Sequence, residues 1–223
     1  MELWLDTCDT QAITAASRFG LIYGITTNPS LLARAHDDHE RVISSLLDVQ
    51  DGPLAVQVTA DEAVEMIQRG ESLHAFSNRI VVKIPVTEEG LVAIRNLSEK
   101  GIPVMATAIF HPKQAWLAAL AGAKYAAPYV GRMFDSGIEA YASLQMIVKI
   151  YQQYGIQTKI IAAALKTTDQ LVSCAEMSID AATLKPSLFS QLVADDPLTM
   201  DSLRGFTEDW EARGHVTESL LVL

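Results

Sequence analysis

Ile80-Val81-Val82-Lys83-Ile84-Pro85 is a continuous apolar, mostly β-branched run, and it reads as a buried strand. Lys83 interrupts it. A lysine is almost never fully buried without a partner or a purpose. Burial disfavours its charged form and lowers its pKa. A neutral lysine amine is a nucleophile that forms a Schiff base with a carbonyl. The stretch therefore sets two expectations: a strand inside a sheet, and carbon–carbon bond chemistry on a sugar or ketone.

Outward from it, short apolar segments alternate with helical ones. Strands are expected at 3–6, 21–26, 55–58, 80–84, 104–109, 125–130, 159–163 and 181–184. Between them apolar residues recur at helical spacing, as at Leu91, Ile94 and Leu97, or at Ala140, Leu144, Ile147 and Tyr151. Asn28 before Pro29 reads as an N-cap with proline at the first helical position. Thr59 with Glu62, and Thr167 with Gln170, have capping-box spacing. Pro112 opens a helix after Phe110, and Glu88 and Glu89 fall in a first turn, where the helix dipole favours acids. Eight βα units without a linker predict a single (β/α)8 barrel domain over 1–223. An open doubly wound sheet is the runner-up, weakened because no Gly-x-Gly-x-x-Gly or Walker loop is present. The tail at 198–213 reads as an additional helix with Met200, Leu203, Phe206 and Trp210 on one face. It lies beyond the eighth unit, where it would cap the barrel or grip a neighbouring subunit.

Composition excludes other classes. At 223 residues and 49% apolar content, the chain supports one sizeable core. A formal net charge of −10 argues against a nucleic-acid partner. No apolar run reaches the ~18 residues of a membrane span. The start, from Met1 to Asp6, is strand-like, with neither the basic nor the apolar region of a signal peptide. The cysteines, Cys8 and Cys174, have no zinc or disulfide spacing. A cytoplasmic protein with no membrane partner is expected.

In a barrel, chemistry gathers at the C-terminal ends of the strands. Those ends carry polar residues here: Asp6, then Thr26 and Asn28, Gln57 and Thr59, Lys83, Thr107, and Tyr129 with Arg132. Each has a bland reading too: Asp6, Asn28 and Thr59 as helix caps, Thr107 as a core hydroxyl, Tyr129 as an ordinary aromatic, Arg132 as a solvated arginine. Six consecutive strands with such ends are harder to explain by packing. A Schiff-base lysine must be neutral near pH 7, so its pKa must fall from ~10.4 toward roughly 7–8. Proton transfer to the carbinolamine oxygen suits a water held by Gln57, Thr107 and Tyr129, or the phenol of Tyr129 itself. Asp6 would orient substrate hydroxyls or carry a proton during cleavage. Arg132 would meet a phosphate.

Several runs together resemble the transaldolase family. They are Leu5-Asp6-Thr7, Gly24-Ile25-Thr26-Thr27-Asn28-Pro29-Ser30, Val82-Lys83-Ile84-Pro85-Val86-Thr87, Gly90-Leu91-Val92-Ala93-Ile94, Ala121-Gly122-Ala123-Lys124-Tyr125 and Ala127-Pro128-Tyr129-Val130-Gly131-Arg132. In length the chain is similar to the small-subunit branch, which includes the fructose-6-phosphate aldolases. The resemblance implies a (β/α)8 barrel and a Schiff-base mechanism with Lys83 as nucleophile, without metal or cofactor. It implies a homo-oligomer, in this branch a decamer of two pentameric rings with swapped C-terminal helices. Transaldolases of the family usually carry glutamate at the position of Gln57 and phenylalanine at that of Tyr129. The glutamine–tyrosine pair resembles the aldolase type and implies cleavage of fructose 6-phosphate, or a related ketose, into dihydroxyacetone and an aldehyde such as glyceraldehyde 3-phosphate.

The chain departs from the family in places. Ala164 stands where the family commonly has a serine that holds the substrate phosphate together with the arginine matched by Arg132. A weaker hold on phosphate follows, so small ketose and aldehyde partners with or without phosphate are expected. The run Gly131-Arg132-Met133-Phe134-Asp135 reads as a short apolar loop, and Lys185 as a compensating charge or a solvated lysine. The alternative to the aldolase is a transaldolase of the pentose phosphate pathway, moving a dihydroxyacetone unit between sugar phosphates. A third reading is a non-catalytic ring protein that binds sugar phosphates. His36, Asp37, Asp38 and His39 match no zinc motif and read as a solvated loop. Lys166 is a second candidate nucleophile with a surface role favoured, and His111 lies near the fifth strand end.

Overall fold

Eight parallel strands close on themselves in sequence order in the computed structural model, which describes residues 1–35 and 37–212. The strands are β1 (Glu2–Asp6), β2 (Ile22–Thr26), β3 (Leu54–Gln57), β4 (Ile80–Pro85), β5 (Val104–Ile109), β6 (Tyr125–Pro128), β7 (Lys159–Ala162) and β8 (Ala181–Leu184). Helices follow them: α1 (Thr10–Ser17), α2 (Pro29–Leu32), α3 (His39–Asp48), α4 (Ala63–Phe76), α5 (Glu88–Glu99), α6 (Pro112–Leu120), α7 (Val130–Asp135), α8 (Ala140–Tyr154), α9 (Thr168–Glu176), α10 (Pro186–Leu192) and α11 (Pro197–Ala212). This is a (β/α)8 barrel with an extra C-terminal helix, and the open sheet is excluded by the pairing of β1 with β8. The chain divides into two compact units, Met1–Phe189 with the barrel, and the residues from Ser190 onward with α11. Position 213, the last of the expected tail helix, lies outside the described residues, as does His36.

The barrel interior follows from strand alternation. Successive side chains point to opposite faces, and one buried cluster takes Trp4, Ala55, Val81, Met105, Ala127, Ile161 and Ala181 from seven strands. Those positions face inward. Below them the N-terminal end is plugged by Glu2. Its carboxylate accepts from the Trp4 indole (3.3 Å) and the Tyr125 phenol (3.0 Å) and pairs with Lys159. Burial and the Glu2 charge push the Tyr125 phenol well above its ordinary pKa, so it stays a donor.

Several local expectations need correction. Thr59 and Glu62 form no capping box: α4 begins at Ala63, with Glu62 at the cap position making no side-chain bond. Glu89, in the first turn of α5, instead accepts from the Ala63 N–H at 2.9 Å. A neighbouring helix thus supplies the cap hydrogen bond that Glu62 does not make, adding to the first-turn charge of Glu65. Thr167 does cap α9 by accepting from Gln170 N, but the Gln170 side chain returns to Lys166 N rather than to Thr167. A reciprocal box forms at His111 and Gln114, ahead of Pro112. The stretch expected as a loop after Tyr129 is helical, as α7. His39, expected in a loop, opens α3.

Candidate active site

Two residues beyond each inward core position, the same alternation produces a second inward ring. Trp4 leads to Asp6, Ala55 to Gln57, Val81 to Lys83, Met105 to Thr107, Ala127 to Tyr129, Ile161 to Ala163 and Ala181 to Thr183. Thr26, paired in register with Asp6, supplies the β2 member. The ring lies at the carboxyl ends of the strands, where the sheet hands over to the βα loops.

Lys83 is buried, with 6% of its surface exposed. Its Nζ donates to the Thr27 carbonyl at 2.6 Å. Burial drives its pKa below the ordinary lysine value; the charge of Asp6 opposes that shift but is the smaller effect. The Thr27 peptide fixes the amine without neutralising it, so the lone pair is available at lower pH than a surface lysine would allow.

Asp6 is half-buried at the end of β1. One of its oxygens accepts from the Thr26 hydroxyl at 2.8 Å, and that hydroxyl lies 2.6 Å from the Thr183 hydroxyl. The carboxylate and the burial of Cys8 together hold the Cys8 thiol up at about 11, with burial the larger cause. A protonated thiol is a poor nucleophile, so Lys83 has no competitor there.

Thr107 and Tyr129 meet through their hydroxyls at 3.0 Å. The Tyr129 ring packs edge-on against Phe110 (5.6 Å between centroids), and the Arg132 guanidinium lies 4.7 Å over the ring centre. Arg132 is exposed and, among the described residues, has no carboxylate partner. Gln57, half-buried, stands beside Lys83 in the β3–β4 register. Ala164 adopts a left-handed backbone (φ 58°), and its carbonyl presses on Gly131, where any Cβ would come within 2.0 Å of the oxygen. Position 164 is thereby held next to the residue that precedes Arg132.

Other candidates fall outside this ring. The Asn28 side-chain oxygen is committed to capping α2 through Leu31 N (3.0 Å), which leaves only its amide donors for a substrate. Thr59 is exposed and accepts from Arg69. Lys166 is exposed and ion-paired with Asp135, and Lys185 is exposed. His111 is spent on its capping box. Among the described residues no three His, Cys, Asp or Glu side chains converge as metal ligands. A cavity of about 380 Å³ lies on the outer side of β3, between α3 and α4, lined by Ile43, Val56, Leu73 and Phe76. It reaches the ring only through Gln57 and does not contain Lys83.

Thr183 is the polar ring member that the sequence reading leaves out. The signal was present: in Ala181-Ala182-Thr183-Leu184 the threonine is the only polar residue of a fully buried strand.

The family model described as transaldolase/fructose-6-phosphate aldolase matches residues 3–221. The chain is 42% identical over 217 residues to a probable transaldolase of Chlorobium phaeobacteroides, covering 94% of this chain and 96% of the relative. It is 41% identical over 217 residues to a probable transaldolase of Prosthecochloris aestuarii, at 94% and 97% coverage. It is 39% identical over 212 residues to probable transaldolase 1 of Listeria monocytogenes, at 95% and 99% coverage. With a family match over nearly its whole length and relatives this similar, the chain belongs to the transaldolase/fructose-6-phosphate aldolase family.

Proposed function

We propose that Lys83 attacks the C2 carbonyl of a ketose and holds a dihydroxyacetone unit as a Schiff base. The observation that carries this is the amine itself: buried, lowered in pKa by desolvation, and held by a single backbone carbonyl. Condensation expels water and leaves an iminium. Asp6 takes the proton of the C4 hydroxyl, the C3–C4 bond breaks, and the aldehyde leaves. The electron pair passes into the iminium, giving an enamine on Lys83. No outside oxidant or reductant is needed.

The enamine has two fates. It attacks a second aldehyde, whose oxygen takes the proton back from Asp6, and water hydrolyses the new iminium to free the product ketose, which is transfer; or it is protonated and hydrolysed, which releases dihydroxyacetone. The names of the relatives favour transfer between sugar phosphates, the transaldolase reaction, and we adopt it as the first reading. The Thr107–Tyr129 pair supports the second, fructose-6-phosphate aldolase, because that reaction needs an acid and the Tyr129 phenol belongs to the same ring as Lys83. The test has two parts. Borohydride reduction with dihydroxyacetone bound should add its mass to Lys83; an unlabelled Lys83 overturns the mechanism. Fructose 6-phosphate supplied without an acceptor then separates the fates: accumulation of free dihydroxyacetone establishes the aldolase, and turnover only with an added aldose phosphate establishes the transaldolase.

Arg132, exposed and without a carboxylate partner among the described residues, supports an anionic substrate group. Ala164→Ser restores a hydroxyl beside it. The KM for phosphorylated substrates should fall by about 0.5–1.5 kcal/mol, roughly 2- to 12-fold, with non-phosphorylated ones unchanged. An unchanged KM for both places the phosphate elsewhere.

We also propose self-association, as a decamer of two pentameric rings. On α11, Leu198, Leu203, Phe206 and Trp210 are each at least half exposed, an apolar face that a second copy would cover. Light scattering should return a multiple of the chain mass; a monomer at micromolar concentration overturns it. No described helix is long and apolar enough to cross a membrane. We place the reaction in the cytoplasm, where the free thiols of Cys8 and Cys174 persist.

A further inference from the structure

Three side chains from three neighbouring strands form one hydrogen-bonded line: Thr183 on β8, Thr26 on β2 and Asp6 on β1. The direction of that line follows from proton counting. A threonine hydroxyl has one proton. Thr26 gives its proton to Asp6, so in the 2.6 Å contact with Thr183 it accepts, and Thr183 is the donor. Thr183 and Thr26 are both buried, at 8% and 0% exposure, so bulk water does not compete for these bonds.

We infer that Thr183 is a positioning residue for Asp6, orienting the Thr26 proton toward the carboxylate while Asp6 waits as a base and permitting reversal of the line once Asp6 is protonated. In the waiting state both hydroxyl dipoles point at the carboxylate, and each bond polarises the next. When Asp6 takes the C4 proton, the acid is able to donate to Thr26, which then turns its own proton toward Thr183. Without Thr183 that second arrangement has no acceptor, and the first loses its outer donor. The inference rests on the Schiff-base reading of Lys83 and adds a residue to it.

The groups that act on Asp6 are few. Lys83 from β4 and Cys8 from the loop after β1 act on it electrostatically, and Tyr129 stands across the ring. The strands flanking β1 present hydroxyls only, Thr26 and Thr183. A pH profile therefore has two contributors to untangle, Asp6 and Lys83. Two assays do so. Reductive trapping of dihydroxyacetone reports Lys83 without any carbon–carbon cleavage. Turnover of fructose 6-phosphate with an aldose phosphate acceptor needs Asp6 as well.

Thr183→Val keeps the shape and removes the donor. Trapping on Lys83 and its pH dependence should match the unmodified protein. Turnover at neutral pH should fall roughly threefold to tenfold, the factor that one ordinary hydrogen bond represents. Its pH profile should change as well, since the line of hydroxyls leading to the Asp6 carboxylate has lost its outer donor. Thr183→Ser should restore both. If turnover and its pH profile are unchanged in Thr183→Val, or if Thr183→Ser fails to rescue it, the positioning role is overturned. If the unmodified protein traps no dihydroxyacetone, the reading of Lys83 falls, and this inference with it, before any variant is made.

Discussion

Lys83→Met is expected to lose reductive trapping altogether and to lower turnover by on the order of 10⁴-fold or more, the scale seen when a covalent nucleophile is removed. The same change should make the protein more stable. Lys83 lies in a strand whose other side chains are apolar, among them Val81, Val82 and Ile84. Methionine fills similar volume without an amine to desolvate. A gain of about 0.5–2 kcal/mol is expected, of the size that relief of functional strain gives. For a chain of this length that is roughly 2–4 °C in Tm per kcal/mol.

The gain should depend on pH with a definite sign. The folded pKa of Lys83 lies below the ordinary value of 10.5. Between the two values the unfolded chain binds a proton that the folded one does not, so the native protein grows more stable as pH rises through that interval. The cost of burying Lys83 is complete below the folded pKa and vanishes above the unfolded one. Calorimetry should show the advantage of Lys83→Met largest on the acid side of the folded pKa and shrinking as pH approaches 10.5. Equal turnover in the variant would move the nucleophile to another amine. A lower Tm at neutral pH would mean that the amine is held by more than the Thr27 carbonyl.

The pattern of apolar runs was enough to place eight strands because each βα unit repeats one signal, and errors at single boundaries do not change the count. The ends were less legible. Val130 reads as strand by composition, yet it starts α7, since the sheet partner that would extend β6 is reduced to the single bridge between Tyr129 and Ala163. Thr59 reads as a cap by spacing, yet Glu89, 30 positions later in the chain, does part of that work from another helix. No local rule carries such a contact. The site was legible where a polar residue breaks an apolar strand, as at Lys83 and Thr107. It was illegible in two respects. Thr183 stands out as the one polar residue of a short apolar strand, but its partner gives it meaning, and Thr26 is 157 positions away. The backbone carbonyl of Thr27 that holds Lys83 has no sequence signature at all, because every residue owns one.

Tyr129→Phe should change which product leaves more than how fast the Schiff base forms. The ring is held by Phe110 on one side and the Arg132 guanidinium on the other, and phenylalanine keeps both contacts. What disappears is one hydroxyl and its 3.0 Å bond to Thr107. Stability should therefore fall by only about 1 kcal/mol, and trapping on Lys83 should persist. Release of dihydroxyacetone needs a proton delivered to the enamine carbon and water delivered to the iminium. Transfer spares the first, because the aldehyde acceptor takes the place of the proton, and needs water only to hydrolyse the product iminium. Loss of a positioned acid costs typically 10²-fold or more. Free dihydroxyacetone should thus drop by at least about 10²-fold, while transfer to an added aldose phosphate drops less, so their ratio shifts toward transfer by tenfold or more. The sharpest control is Thr107→Val, which leaves the phenol but removes its partner. If Tyr129 is the acid and Thr107 merely aims it, release should be impaired in both variants, and more severely in Tyr129→Phe. If the acid is instead a water held between the two hydroxyls, the variants should be equally impaired. An unchanged product ratio in Tyr129→Phe would remove the phenol from the choice between the two fates and leave Gln57, beside Lys83 in the register, as the residue to change next.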